Sequence, residues 1–136
     1  MKISIEVPYG DVDAMGHLNN VAYLRYMEFA RQKYWLALRG SRDYLDIDFV
    51  VARAEIDYRA SAYMGEMLDI DIRVSRMGNS SFDFAYRIMA GDGRLVAEAT
   101  TTQVCWDWRA NAKSTLTPER RAEIERFEKQ GTTGGR

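Results

Sequence analysis

Hydrophobic and polar residues alternate in five separate stretches of the chain, and each stretch predicts a β-strand. Alternation with a period of two places apolar side chains on one face of a sheet and polar side chains on the other. The stretches cover residues 2–7, 50–59, 68–75, 82–88 and 95–108. Gly78-Asn79 and Gly91-Asp92-Gly93 lie between the last three stretches and are typical turn sequences. The later strands are therefore predicted to be antiparallel neighbours.

Between the first two strands the apolar spacing changes to that of a long helix. Asn19 or Asn20 is a suitable N-cap, because an asparagine side chain accepts hydrogen bonds from the free amides of the first turn. The helix continues to about Arg39, and Gly40 ends it. Apolar side chains cover most of its circumference, which predicts that the sheet wraps around it. A second, short helix is predicted to begin at Thr117-Pro118.

The order of these elements predicts an α+β fold, in which a five-stranded antiparallel sheet surrounds one long central helix. The chain has 136 residues and is 46% hydrophobic, which is enough for one domain with a sizeable core. We predict a single domain over residues 1–129. Residues 130–136, which end in Gly-Thr-Thr-Gly-Gly-Arg, are predicted to be a disordered tail.

Charge and composition exclude several classes of protein. The formal net charge is −1 and no run of Lys or Arg is present, so binding to nucleic acid or to a membrane surface is not expected. No stretch approaches the roughly 18 apolar residues of a membrane span, and the N-terminus alternates, unlike a signal peptide. We therefore expect a cytoplasmic protein. One cysteine excludes an internal disulfide, and one histidine with one cysteine leaves no ligand set of the zinc type. A divalent ion site built from carboxylates alone stays open but is not indicated, and no bound cofactor is expected.

The loop before the long helix carries more polar groups than a turn requires. A turn needs glycine and a helix start needs one asparagine, but residues 10–20 also contain Asp11, Asp13 and His17. Aspartates close to glycine are most often ordinary turn residues that bind their own backbone. The additional carboxylates and the imidazole are nevertheless candidates for chemistry at the start of the helix.

This loop and the element order resemble the hotdog-fold acyl-CoA thioesterases of the 4-hydroxybenzoyl-CoA thioesterase family. The matching motif reads Asp13-x-x-Gly16-His17-Leu18-Asn19-Asn20-x-x-Tyr23. The resemblance implies hydrolysis of acyl-CoA thioesters, with Asp13 as nucleophile or general base. It also implies that the backbone amide of Asn20, or of Val21 beside it, donates to the thioester carbonyl. A helix N-terminus is physically suited to that role, because its free amides and positive dipole end stabilise an oxyanion.

The other residues of the motif have supporting roles under this resemblance. His17 is expected to orient the loop, although its pKa range would also suit a general base. Gly16, Asn19 and Tyr23 are assigned to substrate binding: Gly16 lets the backbone approach the substrate, whereas Asn19 could only cap the helix and Tyr23 could belong to the core. Glu28 is an alternative nucleophile on the helix, but an ion pair with a neighbouring arginine is the expected role.

Binding of the substrate and of a partner copy is also expected from the family. Arg59, Arg73 and Arg76 are candidate contacts for the phosphates of coenzyme A, although arginines on strands are usually only solvated. The turn at residues 78–81 is neutral where relatives often place basic residues, which leaves an acyl carrier protein as an alternative donor. Family members join two protomers into one continuous sheet with active sites at the interface, and an open sheet edge needs such cover. We therefore expect a homodimer, doubled into a homotetramer.

Two other functions remain open on the sequence alone. A hotdog enoyl hydratase or dehydratase would use a histidine, typically with a proline nearby, and no such pattern surrounds His17. A noncatalytic protein that binds acyl thioesters is the second alternative. Release of free thiol from acyl-CoA distinguishes a thioesterase from both.

Overall fold

Six β-strands and two α-helices form the fold in the computed structural model, which describes the backbone of residues 1–134 and the side chains of residues 1–131. In chain order the elements are β1 (Lys2–Glu6), α1 (Asn20–Arg39), β2 (Phe49–Tyr58), β3 (Met67–Met77), β4 (Ser81–Ala90), β5 (Leu95–Asp107), β6 (Ala112–Lys113) and α2 (Pro118–Gly134). This is the predicted order, with β6 as an additional strand of two residues. Neither helix in this part of the chain is long and apolar enough to cross a membrane.

The strands form one antiparallel sheet in the order β1-β3-β4-β5-β2, and β6 pairs with the end of β5. The alternation of apolar residues is realised most clearly in β3 and β4, whose inward side chains are fully buried against α1. Aromatic rings close the core, because Trp35 of α1 stacks on Phe82 at a centroid distance of 5.0 Å and Tyr34 meets Phe84 edge-on at 4.9 Å. The predicted arrangement of a central helix against an antiparallel sheet is therefore confirmed.

The ends of both helices follow the local rules that predicted them. The side chain of Asn19 accepts a hydrogen bond from the Val21 amide at 2.9 Å, and Gly40 ends α1 in the left-handed conformation with φ of +62°. The Thr117 hydroxyl accepts from the Arg120 amide at the start of α2. Helix α2 is longer than predicted and reaches Gly134, inside the predicted tail. Residues 135 and 136 of that tail lie outside the described residues, so the tail as a whole stays a prediction.

The prediction that α1 is wrapped on nearly all sides is wrong for one face. Val21 and Leu24 are 64% and 45% exposed, and Phe29 is exposed as well. Strand β2 also differs from the expected strand with one polar face. Within residues 1–134 it pairs only with β5, has a bulge at Ala52, and exposes side chains on both of its faces. The protomer therefore has an uncovered sheet edge beside an uncovered apolar helix face.

Replacing Asn19 by alanine is expected to lower the free energy of unfolding by about 1 kcal/mol, because the Val21 amide then loses its acceptor. Urea denaturation followed by circular dichroism measures this change, and the denaturant dependence should stay the same. Asn20→Ala is the matched control, since the Asn20 side chain makes no hydrogen bond within residues 1–131. An equal loss from both substitutions would contradict the assignment of Asn19 as the cap.

Candidate active site

The loop between β1 and α1 folds back on itself as a small hairpin. Val12 and Leu18 form an antiparallel bridge, and the Asp13 amide donates to the carbonyl of His17 at 2.8 Å. The Gly16 amide closes the turn on the Asp13 carbonyl at 3.0 Å. Gly16 has φ of +79°, a conformation that other residues rarely adopt, and nothing lies within 4 Å of the position where a Cβ would stand. The turn thus requires this glycine and leaves open space beside it.

The Asp13 carboxylate is exposed on the protomer and is oriented by backbone amides. Its Oδ1 accepts hydrogen bonds from the amides of Met15 at 2.9 Å and His17 at 3.1 Å. Its Oδ2 has no hydrogen-bond partner within the described part of the chain. One oxygen therefore holds the side chain in the turn, and the other remains free to meet a substrate or a water molecule.

The two candidate amide donors at the start of α1 differ in their hydrogen bonds. The Val21 amide already donates to the Asn19 side chain, whereas the Asn20 amide has no acceptor among residues 1–134. The Asn19 carbonyl, in the same peptide as the Asn20 amide, accepts from the Ala22 amide at 2.9 Å, and the Asn20 carbonyl in the next peptide accepts from the Tyr58 hydroxyl at 3.3 Å. Of the two sequence-predicted donors, the structure therefore leaves Asn20 free and uses Val21 for the cap.

The His17 ring is held by residues that follow β2, not by the carboxylate of Asp13. Its ring packs edge-on against Tyr63 at a centroid distance of 5.1 Å, and its Nδ1 lies 3.5 Å from the hydroxyl of Ser61. The guanidinium of Arg94 lies over the Tyr63 ring, 5.6 Å from its centroid. Within the described residues no hydrogen bond joins the imidazole to Asp13. This arrangement favours the expected orienting role of His17 over that of a base paired with Asp13.

Asp11, the second aspartate of the loop, anchors the loop to α1. Its carboxylate forms an ion pair with Arg25 at 2.7 Å and accepts a hydrogen bond from the Tyr26 hydroxyl at 2.6 Å. Burial, the hydrogen bond to Asp11 and its negative charge raise the pKa of Tyr26, so the phenol stays protonated and keeps donating. The backbone carbonyl of Asp11 also accepts a hydrogen bond from the Asn19 amide. Asp11 thus has the structural role that is usual for an aspartate in a turn.

Tyr23 lies in the core rather than on an open surface. It is 3% exposed, and its ring meets Tyr58 edge-on at 5.2 Å. Burial raises the pKa of the Tyr23 hydroxyl.

Sequence reasoning missed Tyr58, Ser61 and Tyr63, which surround the loop from a distant part of the chain. No local motif marks these three residues. The one available signal in the sequence is that Tyr58 and Tyr63 are aromatic residues at or just after the end of a predicted strand.

The three arginines predicted to contact phosphate do not form one cluster. Arg59 forms an ion pair with Glu98 at 3.3 Å, and Arg76 forms one with Asp83 at 2.9 Å that raises the pKa of the guanidinium. Arg59 and Arg76 lie at opposite ends of the sheet, about 20 Å apart along the strands. Arg73 is exposed and makes no ion pair with the described carboxylates. Contact with coenzyme A phosphates stays a prediction for each arginine separately.

The predicted ion pair of Glu28 is wrong. Arg25 pairs with Asp11, and Glu28 is exposed and forms no ion pair with any side chain of residues 1–131. It lies about two turns after Asn20, well removed from the Asp13 turn along the helix.

Two further groups of residues offer no additional chemistry. Within residues 1–131, no three His, Cys, Asp or Glu side chains come together as a metal site. Burial raises the pKa of the Cys105 thiol, which keeps it in the protonated form.

The chain is similar to known proteins over most of its length. The model of the family described as thioesterase-like superfamily matches residues 7–125. The long-chain acyl-CoA thioesterase FadM of Escherichia coli (strain K12) is 30% identical over 135 residues, covering 95% of this chain and all of that protein (100%). The 1,4-dihydroxy-2-naphthoyl-CoA hydrolase of Synechococcus elongatus is 29% identical over 120 residues, covering 84% of this chain and 86% of that protein.

Similarity over most of the chain is also found with a solved structure. A thioesterase from Thermus thermophilus, crystallised with coenzyme A and Zn, superposes with a TM-score of 0.85 at 29% identity, covering 94% of this chain and 93% of that chain. The similarity therefore includes the loop, the central helix and the sheet together.

Proposed function

Because the chain belongs to the thioesterase-like superfamily, we propose that it hydrolyses acyl-CoA thioesters to a free acid and coenzyme A around Asp13 and Asn20. Membership confirms the resemblance stated from the sequence, together with the hotdog fold and the class of thioester hydrolases. The roles of individual residues are part of the proposal.

The free amide of Asn20 is the observation that supports this function most directly. Attack on a thioester places negative charge on the carbonyl oxygen, and an unpaired amide at a helix N-terminus stabilises that charge. The amide is fixed in advance, because the carbonyl of its own peptide accepts from the Ala22 amide, and the Asn19 cap and the Tyr58 hydroxyl hold the next peptide. Little reorganisation is then needed when the charge develops.

The free Oδ2 of Asp13 supplies the group that acts on the carbonyl carbon. As a nucleophile, it would form an anhydride with the acyl group and expel the coenzyme A thiolate, and water would then hydrolyse the anhydride to restore the carboxylate. As a general base, it would take a proton from an attacking water and return it to the departing thiolate. After a single turnover in ¹⁸O-labelled water, label found in Asp13 identifies the nucleophilic route, since it enters the carboxylate when water attacks the anhydride at the aspartyl carbon.

The uncovered surfaces of the protomer support a homodimer. The exposed side chains of Val21 and Leu24 lie next to the free edge of β2, where a second copy can continue the sheet. Tyr58 joins the end of β2 to the start of α1, so pairing along β2 would bring a partner close to Asn20. We propose that the active sites are completed at this interface. Doubling of the dimer into a tetramer stays a prediction.

Coenzyme A is the proposed donor, because the relatives named above act on CoA thioesters and one neighbour holds coenzyme A. Acyl carrier protein remains the alternative donor, to be tested in the same assay. We propose a cytoplasmic location, as expected from the sequence.

A thiol-release assay with a panel of aliphatic and aromatic acyl-CoAs tests the function. Thioesterase activity releases free coenzyme A and an acid in equal amounts. Binding without thiol release would identify a noncatalytic acyl-thioester protein. Addition of water to an enoyl-CoA without thiol release would identify a hydratase.

A further inference from the structure

An ion pair between Arg94 and Glu66 connects the β4–β5 turn to the segment that follows β2. The Arg94 guanidinium donates a hydrogen bond to the Glu66 carboxylate, and both side chains are partly buried. The backbone of Arg94 is fixed by the turn, because its amide donates to the Asp92 carboxylate at 3.0 Å and its carbonyl accepts from the Ala90 amide at 2.9 Å. The cation therefore projects from a well-held part of the sheet.

Glu66 and Arg94 together hold Tyr63. The second carboxylate oxygen of Glu66 accepts a hydrogen bond from the Tyr63 amide at 2.7 Å, and the Glu66 amide donates to the Tyr63 carbonyl at 3.1 Å. The Arg94 guanidinium lies 5.6 Å from the centroid of the Tyr63 ring, within the range of a cation–π contact. One ion pair therefore holds both the backbone and the ring of Tyr63.

Tyr63 in turn contacts both the backbone and the ring of His17. The two residues form an isolated antiparallel bridge, and their rings meet edge-on at 5.1 Å. The main chain of His17 then binds Asp13 twice, because its carbonyl accepts from the Asp13 amide at 2.8 Å and its amide donates to Asp13 Oδ1 at 3.1 Å. A continuous series of direct contacts therefore joins Arg94 to the carboxylate that is proposed to act on the thioester.

The same ion pair lies close to the first turn of α1. Burial raises the pKa of the Tyr23 hydroxyl, and the charges of Arg94 and Glu66 act on this hydroxyl in opposite directions. Tyr23 lies about one turn after Asn20 along the helix. The ion pair is therefore near both parts of the proposed site, the helix start and the Asp13 turn.

We propose that Arg94 is a positioning residue for thioester hydrolysis. It sets the direction of the Asp13 carboxylate through the contacts of Tyr63 and His17. Without the Arg94 charge, the partly buried Glu66 carboxylate lacks a counter-ion and turns towards water, so the Tyr63 amide loses its acceptor. A displacement of about 1 Å at an active site can cost about a hundredfold in rate. The inference rests on the proposed function, since it concerns the placement of the proposed catalytic carboxylate.

Thiol release by Arg94→Met, measured over a range of acyl-CoA concentrations, tests the kinetic part of this inference. We expect kcat to fall by about tenfold to a hundredfold and KM to stay within about twofold, because Arg94 acts on the placement of Asp13 and not on substrate binding. Arg94→Lys keeps a cation beside Glu66 and should recover most of the lost kcat.

Arg120→Met is the matched control. Arg120 is also partly buried and forms ion pairs with Asp48 at 3.6 Å and Glu123 at 3.4 Å. Its guanidinium lies 5.4 Å from the centroid of the Trp35 ring. Trp35 is about 22 Å along α1 from Asn20. Loss of the Arg120 charge should therefore lower the melting temperature and leave kcat unchanged.

The single histidine of the chain gives a second measurement, which does not depend on activity. In untagged protein the imidazole Cε1 proton of His17 gives one signal in the ¹H NMR spectrum, and the ring current of the edge-on Tyr63 ring shifts it. Tyr63→Leu gives the position of this signal without the ring. In Arg94→Met the signal should move towards that position, whereas Arg94→Lys and Arg120→Met should keep it near its wild-type position.

Three results would overturn the inference while thiol release by wild type still supports the proposed function. The first is an unchanged kcat or an unchanged His17 signal in Arg94→Met. The second is a raised KM at unchanged kcat, which would assign Arg94 to substrate binding. The third is an equal loss of kcat in Arg120→Met, which would show that lower stability alone reduces activity.

Arg94→Gln replaces Arg94→Met if the methionine variant does not fold, because its side-chain amide still donates to Glu66 but carries no charge. A smaller loss of kcat at unchanged KM is then expected, and the same three results would overturn the inference. Absence of thiol release by wild type from every acyl-CoA would overturn the proposed function itself, and this inference with it.

Discussion

Asparagine in place of Asp13 is expected to lower kcat/KM for acyl-CoA hydrolysis by about a hundredfold to ten-thousandfold. The side chain keeps its shape, and its amide oxygen can still accept from the amides of Met15 and His17, so the turn is preserved. Only the negative charge and basicity of the free Oδ2 are lost. Thiol release measured over a range of substrate concentrations gives the change, and circular dichroism confirms that the fold is kept.

Asp11→Asn is the matched control, because it makes the same change two residues earlier in the chain. It weakens the ion pair with Arg25, so a lower melting temperature and nearly unchanged kcat/KM are expected. Glu28→Gln tests the alternative nucleophile and should retain activity. Full activity in Asp13→Asn combined with loss in Glu28→Gln would move the reaction to the helix.

Lysine in place of Ala52 is expected to convert the proposed dimer into monomers and to reduce thiol release by at least about a hundredfold. Ala52 lies at the bulge of β2, on the uncovered edge of the sheet. A partner strand that pairs there would bring two lysines and two desolvated charges together. Light scattering gives the mass, and activity should not recover at any substrate concentration, because the site itself is incomplete.

Ala112→Lys provides the comparison, since it places the same charge on the exposed strand β6. This variant should keep both the wild-type mass and the wild-type activity. A fully active monomer of Ala52→Lys would show that one protomer holds a complete site and would refute the interface proposal.

Local rules account for what the sequence predicted correctly. The caps at Asn19, Gly40 and Thr117 depend only on neighbouring residues, and the strands depend on alternation within a short stretch. The Asp13 turn is local for the same reason, since its hydrogen bonds end at Met15, Gly16 and His17. Such features can be predicted from the sequence without knowledge of the tertiary structure.

The remaining features depend on contacts across the chain. Val21 and Leu24 are apolar, so the sequence predicts them in the core. They are exposed because β2 does not cover this face of α1. Tyr58 and Tyr63 reach the active-site loop because the sheet brings them there, not because of their spacing from the motif. The choice between the amides of Asn20 and Val21 likewise required the observed cap, since either asparagine could have provided it.

One carboxylate of helix α2 binds both α1 and β3. Glu128 accepts hydrogen bonds from the hydroxyl of Tyr34 in α1 and, at 2.9 Å, from the amide of Val74 in β3. Phe127 packs its ring on Tyr34 at a centroid distance of 4.8 Å. The central helix is therefore sealed by a residue 94 positions further along the chain. A nascent chain that has not yet exposed α2 would still lack this seal, so α1 becomes fully covered only after all the strands of the sheet have been made.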